Sequence, residues 1–276
     1  MANITIGNYY PEKSILHRLD PRVKLFSTLV WIVMLFLFNN LLSLGILTVY
    51  LAAVLKGSRV PFFKLLKGLR GIFFILLFSV VMNLLLIRGT TLVHWGVITI
   101  SKEGAIRAGY MAVRLIYLVL GTSVLTLTTM PNDLSDGLEK SFGFLKKVKF
   151  PVHEIAMVMA LALRFIPTLI EEAEKITKAQ KARGADFESG NALKRAKNMI
   201  PILVPLFVSA LRRATELATA MEARCYHGGE RTKMKPLQYA TRDRFAYGVQ
   251  AMLVMITVGL LLATNKGVQW VIPFHR

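Results

Sequence analysis

Acidic residues and cysteine are both scarce in this chain. Of its 276 residues, 16 are Asp or Glu against 35 Lys or Arg, a formal net charge of +19. Such an imbalance draws a chain to nucleic acid, anionic lipid or an acidic partner. One cysteine, Cys225, excludes an internal disulfide framework and any cysteine-based metal cluster. The five histidines, at 17, 94, 153, 227 and 275, have no ligand spacing, and His153-Glu154 lacks the second His of a zinc protease helix. There is no glycine-rich phosphate loop closing on Gly-Lys-Ser/Thr, and no Gly-x-Ser-x-Gly elbow. No catalytic residue, cofactor or metal is therefore expected. Nor is a signal peptide, because no small-residue cleavage site follows the first apolar block.

What is abundant is apolar. Hydrophobic residues make up 54% and charged residues 18%, where a soluble domain carries about 25% charge. The apolar residues fall into blocks separated by basic segments. The expected fold class is an all-α polytopic membrane protein, because a helix satisfies its own backbone inside lipid. Four spans are expected in an N-terminal membrane region, 1–130, at about 23–40, 41–56, 71–88 and 103–129. A fifth is expected at about 245–264 within a final segment, 243–276. Asn39-Asn40 should turn between the first two. Ser58 to Gly71, where Phe62, Phe63, Leu65, Leu66 and Leu69 alternate with Lys64, Lys67 and Arg70, reads as a short basic helix at the interface. Arg88 to Ser101 reads as a Gly/Thr-rich loop with Trp95 as a headgroup anchor. The fourth span carries Arg107, which snorkels near an end, and Arg114, which is costly unless it faces protein or water.

Basic residues give an orientation. Residues 1–24 hold four Lys/Arg, 56–71 hold five and 131–244 hold twenty, whereas 88–102 and 265–276 hold two each. With five spans, every basic segment falls on the cytoplasmic side and the C-terminus outside. The charge is thus assigned to membrane lipid rather than nucleic acid.

Residues 131–242 should form a cytoplasmic platform of long amphipathic helices. After a helix at Leu134 to Val148, started by Pro131-Asn132-Asp133, a helical run goes from Val152 to Arg183. It is apolar first and charged later, with Leu169, Ala173, Ile176 and Gln180 on one face and a bend at Pro167. After a turn from Gly184 to Gly190, a second run, Asn191 to Arg224, repeats the scheme. Leu211, Ala214, Ala218, Met221 and Cys225 form its stripe. Both runs end in Ala-Arg, and Arg183 and Arg224 stand 41 positions apart. Projecting charged tips need a partner, and an Arg near a helix C-terminus suits the dipole and makes directional bonds to carboxylates or carbonyls.

The chain resembles the transmembrane (T) component of the energy-coupling factor transporters over nearly its whole length. The resemblance is carried by His17-Arg18-Leu19-Asp20-Pro21-Arg22-Val23-Lys24, by the tips Ala182-Arg183-Gly184 and Ala223-Arg224-Cys225, and by the order of spans and long helices. It implies a scaffold without catalytic residues of its own. The two tips would be coupling helices that cross in an X and enter grooves of two cytoplasmic ABC ATPase subunits. The platform would cradle a small membrane S component that binds a vitamin or other micronutrient. Arg183 and Arg224 would touch the ATPases, with Ala182, Gly184 and Ala223 allowing close approach. Cys225 stands where the family pattern has Gly; a left-handed cap there is costly, so the turn is expected at Gly228-Gly229.

Other residues keep two readings. Asp20 and Arg22 form a helix cap and interface anchor or an interdomain contact. Arg114 is a paired structural arginine or a functional one. Glu171, Glu172 and Glu174 are solvated or paired within the helix with Lys175 and Lys178, or else contact a partner. A self-contained secondary carrier, with a central cavity and broken spans, is the alternative function, and an intramembrane enzyme or assembly factor a third.

Overall fold

The computed structural model describes residues 9–37, 41–87, 89–95, 98–143, 151–187, 189, 191–226, 228 and 237–265. Asn39-Asn40, Gly190, Gly229 and the C-terminal tail lie outside them, as does the side chain of Trp95. Within the described residues the chain is helical except for one two-stranded hairpin: α1 Pro21–Leu37, α2 Leu41–Ser58, α3 Phe62–Leu86, β1 Thr91–Trp95, β2 Ile98–Ser101, α4 Lys102–Thr128, α5 Pro131–Ser141, α6 Val152–Ala182, α7 Ala192–Asn198, α8 Ile200–Glu222 and α9 Thr241–Asn265. Three of these, α3, α4 and α6, are long and apolar enough to cross a membrane, and α2 is a shorter apolar helix. The chain is an all-α polytopic membrane protein. Contacts divide it into two compact units, one of Gly7–Gly137 and Leu237–Arg276 and one of Met1–Ile6 and Leu138–Pro236.

The first unit is built around Trp31. Its ring stacks on Tyr50 at 5.6 Å, and its Nε1 donates to the Tyr117 carbonyl at 3.2 Å. Leu35, Leu47, Leu51, Leu120, Val124 and Leu253 close around it, so α1, α2, α4 and α9 share one core. Gly121 is required there: a Cβ would stand 2.2 Å from Trp31 Nε1. Polar pins fix the bundle. Tyr50 donates to Gln250 at 2.7 Å, and buried Lys24 donates to the Thr128 carbonyl at the end of α4, at 2.9 Å, where a cation meets the unpaired carbonyls of a helix terminus.

Two expectations fail in this unit. The interfacial segment and third span are one helix, α3. Neither Gly68 nor Gly71 breaks it, since a helical glycine costs only about 1 kcal/mol and no proline intervenes after Pro61. The expected loop contains the β1–β2 hairpin, paired antiparallel from Thr91↔Ser101 to Trp95↔Ile98; its β-branched residues suit strands. Ser101 then caps α4, accepting from the Gly104 N–H at 3.0 Å.

The second unit is made of long helices with little interior. α6 keeps its expected stripe: Leu169, Ala173, Ile176 and Gln180 are half-buried while Glu171, Lys175 and Lys178 are exposed. The second helical run is not continuous. It breaks at Met199 into α7 and α8, because Pro201 has no N–H to give the preceding turn. α8 runs on through Pro205, whose missing N–H leaves the Pro201 carbonyl unmatched; Gln180 of α6 donates to that carbonyl at 3.5 Å. The stripe on α8 is also corrected. Leu211, Ala214, Ala218 and Cys225 are exposed, and the half-buried positions are Ile202, Leu206, Ser209, Ala210, Arg213, Leu217 and Met221.

Candidate functional site: two arginine-capped helix ends

Helix α6 ends because Gly184 turns left-handed, at φ +87°. The Gly184 N–H bonds to the Lys181 carbonyl at 3.0 Å and the Ala185 N–H to the Gln180 carbonyl at 3.0 Å. This pair of bonds is a Schellman motif, with Arg183 as the capping residue. The end of α8 repeats it. The Cys225 N–H bonds to the Glu222 carbonyl at 2.8 Å and the Tyr226 N–H to the Met221 carbonyl at 3.0 Å, which gives Arg224 the place of Arg183. The left-handed residue is Cys225 itself, at φ +56°. The expectation of a turn at Gly228-Gly229 is therefore corrected. Gly228 is also left-handed, at φ +77°, but the helix has already closed. Two satisfied carbonyls at the cap offset the cost of a side chain in that region, about 1–2 kcal/mol.

Ala182, Arg183, Gly184, Ala223, Arg224 and Cys225 are all exposed. Each tip thus presents a guanidinium flanked by small residues and by helix-terminal carbonyls, a surface that recognises carboxylates and carbonyl dipoles.

A second feature escaped the sequence. Glu172 of α6 accepts from Ser209 and, at 3.0 Å, from Arg213 Nη2, both on α8. The expected pairing of Glu172 with Lys175 or Lys178 is replaced by this bond between helices. Glu172 and Arg213 are 41 positions apart, the spacing of Arg183 and Arg224. Each lies eleven residues before its own tip, about three turns or 16 Å of helix. The clasp joins matching positions of two matching arms. The signal was present in that 41-residue echo, which aligns Glu172 with Arg213 as it aligns the tips.

The remaining candidates lie in the other unit. Asp20 accepts from the Arg22 backbone N–H at 2.9 Å, capping α1 ahead of Pro21, and holds the Arg22 guanidinium through Nε at 3.1 Å and Nη2 at 3.0 Å. Arg22 also donates to the Leu237 carbonyl at 3.1 Å and lies 4.1 Å from the Tyr239 ring centre. Asp243, reaching back from the first turn of α9, accepts from the Ala240 N–H at 2.8 Å and the Asp20 N–H at 2.9 Å. Leu19-Asp20-Pro21-Arg22 therefore ties the start of α1 to the start of α9. Nearby on α5, burial pushes the Asp133 carboxyl up while Lys24 opposes it. Arg114 is buried in α4 between Tyr110, at 4.9 Å, and Phe36, at 5.8 Å, a housing that lowers the cost of its charge. No group of three or more His, Cys, Asp or Glu that could hold a metal occurs among the described residues.

Comparison with known proteins brings these parts together. The profile of the CbiQ family, described as cobalt transport protein, matches residues 12–235. The chain is 48% identical over 255 residues to the energy-coupling factor transporter transmembrane protein EcfT of Ruminiclostridium cellulolyticum, covering 92% of this chain and 96% of that protein. It is 48% identical over 261 residues to the protein of that name from Clostridium kluyveri, with 94% and 97% covered. The match to that of Acidaminococcus fermentans is 46% over 274 residues, 99% of each.

Proposed function

The chain belongs to the family of energy-coupling factor transporter transmembrane proteins, and from that premise we propose that it transmits ATP-driven motion from two cytoplasmic ABC ATPase subunits to a substrate-binding S component for vitamin or micronutrient uptake. ATP hydrolysis belongs to the partner subunits. The observation that carries this reading is the pair of identically capped, exposed tips with one clasp at matching distances behind them. Ala182-Arg183-Gly184 enters a groove of one ATPase and Ala223-Arg224-Cys225 that of the other. The clasp makes two helices one lever, so displacement of either tip moves both.

Exposed apolar residues support the S-component half of the proposal. Leu203, Val204, Phe207, Val208 and Leu211 of α8 are each about half exposed or more, and α8 has no buried residue. A surface of that kind marks a binding site for protein or membrane. We place the N-terminus and residues 131–242 on the cytoplasmic side and the C-terminus outside. The charged second halves of α6 and α8 support this placement, although α6 has the length of a span.

Copurification from mild detergent tests the assembly. Two ATPase subunits and one small membrane protein are expected, and transport by the chain alone in liposomes would overturn the proposal. Accessibility labelling of single cysteines at positions 183 and 224, in a Cys225→Ser background, should mark both from the cytoplasmic side. Labelling from opposite sides would end the lever account.

A further inference from the structure

Two cavities adjoin in the unit of Gly7–Gly137 and Leu237–Arg276. One, of about 340 Å³, is walled mainly by apolar side chains that include Trp31, Leu51, Val54, Val124, Phe245 and Val249, with Lys24 and Arg242 also in its lining. Its neighbour, of about 580 Å³, is lined by Lys13, Arg18, Lys56 and Arg59, with Ser14 and Gly57. No carboxylate lines the second cavity. Ile15 and Ala53 line both, so the two share a wall.

The chain puts unusual effort into this junction. The four cations come from two separate segments, the approach to α1 and the end of α2, which meet where Gly57 packs against Leu16. Arg59 is held left-handed, at φ +55°, a conformation uncommon for a long side chain. Ile15 stays 71% exposed beside the basic group. An apolar slot opening beside a cationic basin is the complement of one molecule class: an apolar chain joined to an anionic head.

We propose that the two cavities form one binding site for a single anionic phospholipid, with acyl chain in the apolar slot and phosphate among Lys13, Arg18, Lys56 and Arg59. Burying the chain supplies affinity in proportion to apolar area, and the cations supply selectivity for anionic heads. Inorganic phosphate has the head's chemistry but nothing to fill the slot, so it binds far more weakly. Bound lipid would fill a void beside Trp31 and brace the helices that carry it. The site does not depend on the coupling role of the arms.

Native mass spectrometry of the full chain in mild detergent tests this, with equimolar phosphatidylglycerol and phosphatidylcholine of matched acyl chains as probes. The first lipid retained should be phosphatidylglycerol by about tenfold or more. Lys13→Gln with Lys56→Gln and Arg59→Asn should lower that preference at least about fivefold, Asn being chosen because it tolerates the left-handed backbone. Ala53→Trp, at the shared wall, should weaken retention of both lipids. Millimolar inorganic phosphate should leave the bound lipid in place. Equal retention of the two lipids by the wild-type chain, an unchanged ratio in the triple variant, or ready displacement by inorganic phosphate would each overturn the assignment. Should the triple variant misfold, the wild-type ratio decides, and it should fall toward unity as salt is raised.

Discussion

The two units of this chain are built on opposite principles. The unit of Gly7–Gly137 and Leu237–Arg276 has an interior: Trp31, Leu35, Leu47 and Leu65 are almost fully buried, and polar pins such as Asp243 join distant segments. In the other, α6 buries only Val152 and Ala156 and α8 buries nothing. One unit holds its form by packing. The other is held by end caps and a clasp, and leaves most of its apolar surface exposed. The lesson is that one chain can hold one unit by side-chain packing and another by caps and a single clasp between helices.

The largest expected break in that comparison is in the frame. Trp31→Ala should remove about 3–5 kcal/mol of stability, seen as a large fall in the thermal midpoint of the detergent-solubilised protein. Next is the reverse case in the arms. Arg183→Ala with Arg224→Ala should leave that midpoint unchanged but weaken ATPase assembly by roughly 1,000-fold, since an arginine at the centre of an interface carries about 2 kcal/mol, or about 30-fold, and two are removed; normal assembly and uptake by the double variant would refute the assignment of the tips. Asp243→Ala strands two backbone N–H groups, Asp20 and Ala240, and should cost about 2 kcal/mol of frame stability.

Smaller effects sharpen the contrast. Glu172→Gln should keep the subunits assembled but lower substrate imported per ATP hydrolysed about two- to fivefold, and Glu172→Arg with Arg213→Glu should restore part of it. Smallest is Cys225→Gly, which relieves the left-handed strain and should raise arm stability by about 1 kcal/mol. Hydrogen exchange at the Tyr226 N–H, which slows if this holds, is the readout.

Legibility in the sequence followed the same division. A helix start was readable at Pro131, where proline stands at the first turn, and Gly184 marked the end of α6, whereas the start of α1 at Pro21 lies two residues before the expected span. Helical periodicity placed Leu169, Ala173 and Ile176 on the packed face. It misplaced the packed face of α8, where apolar residues occur on more than one side and Ser209 and Arg213 face α6. The α7–α8 break was missed because Asn191 to Arg224 reads as one run by its periodicity, which takes no account of the missing N–H of Pro201. Asp243 was missed because its partner stands 223 positions earlier, beyond the reach of any local pattern. Cys225 was misread because a single-residue conformational cost was weighed without the two hydrogen bonds that compensate it.

The bonds from Asp243 to Asp20 and from Gln250 to Tyr50 set an order of events during synthesis. The ribosome must add more than two hundred residues after Asp20 before its partner exists, which takes roughly 10–45 s at about 5–20 residues per second. Through that interval α1, α2 and α4 lack their closing helix, while α6 and α8 have already been made. A chain stalled or truncated before residue 243 would release finished arms on an open frame, the kind of product that membrane quality control has time to intercept.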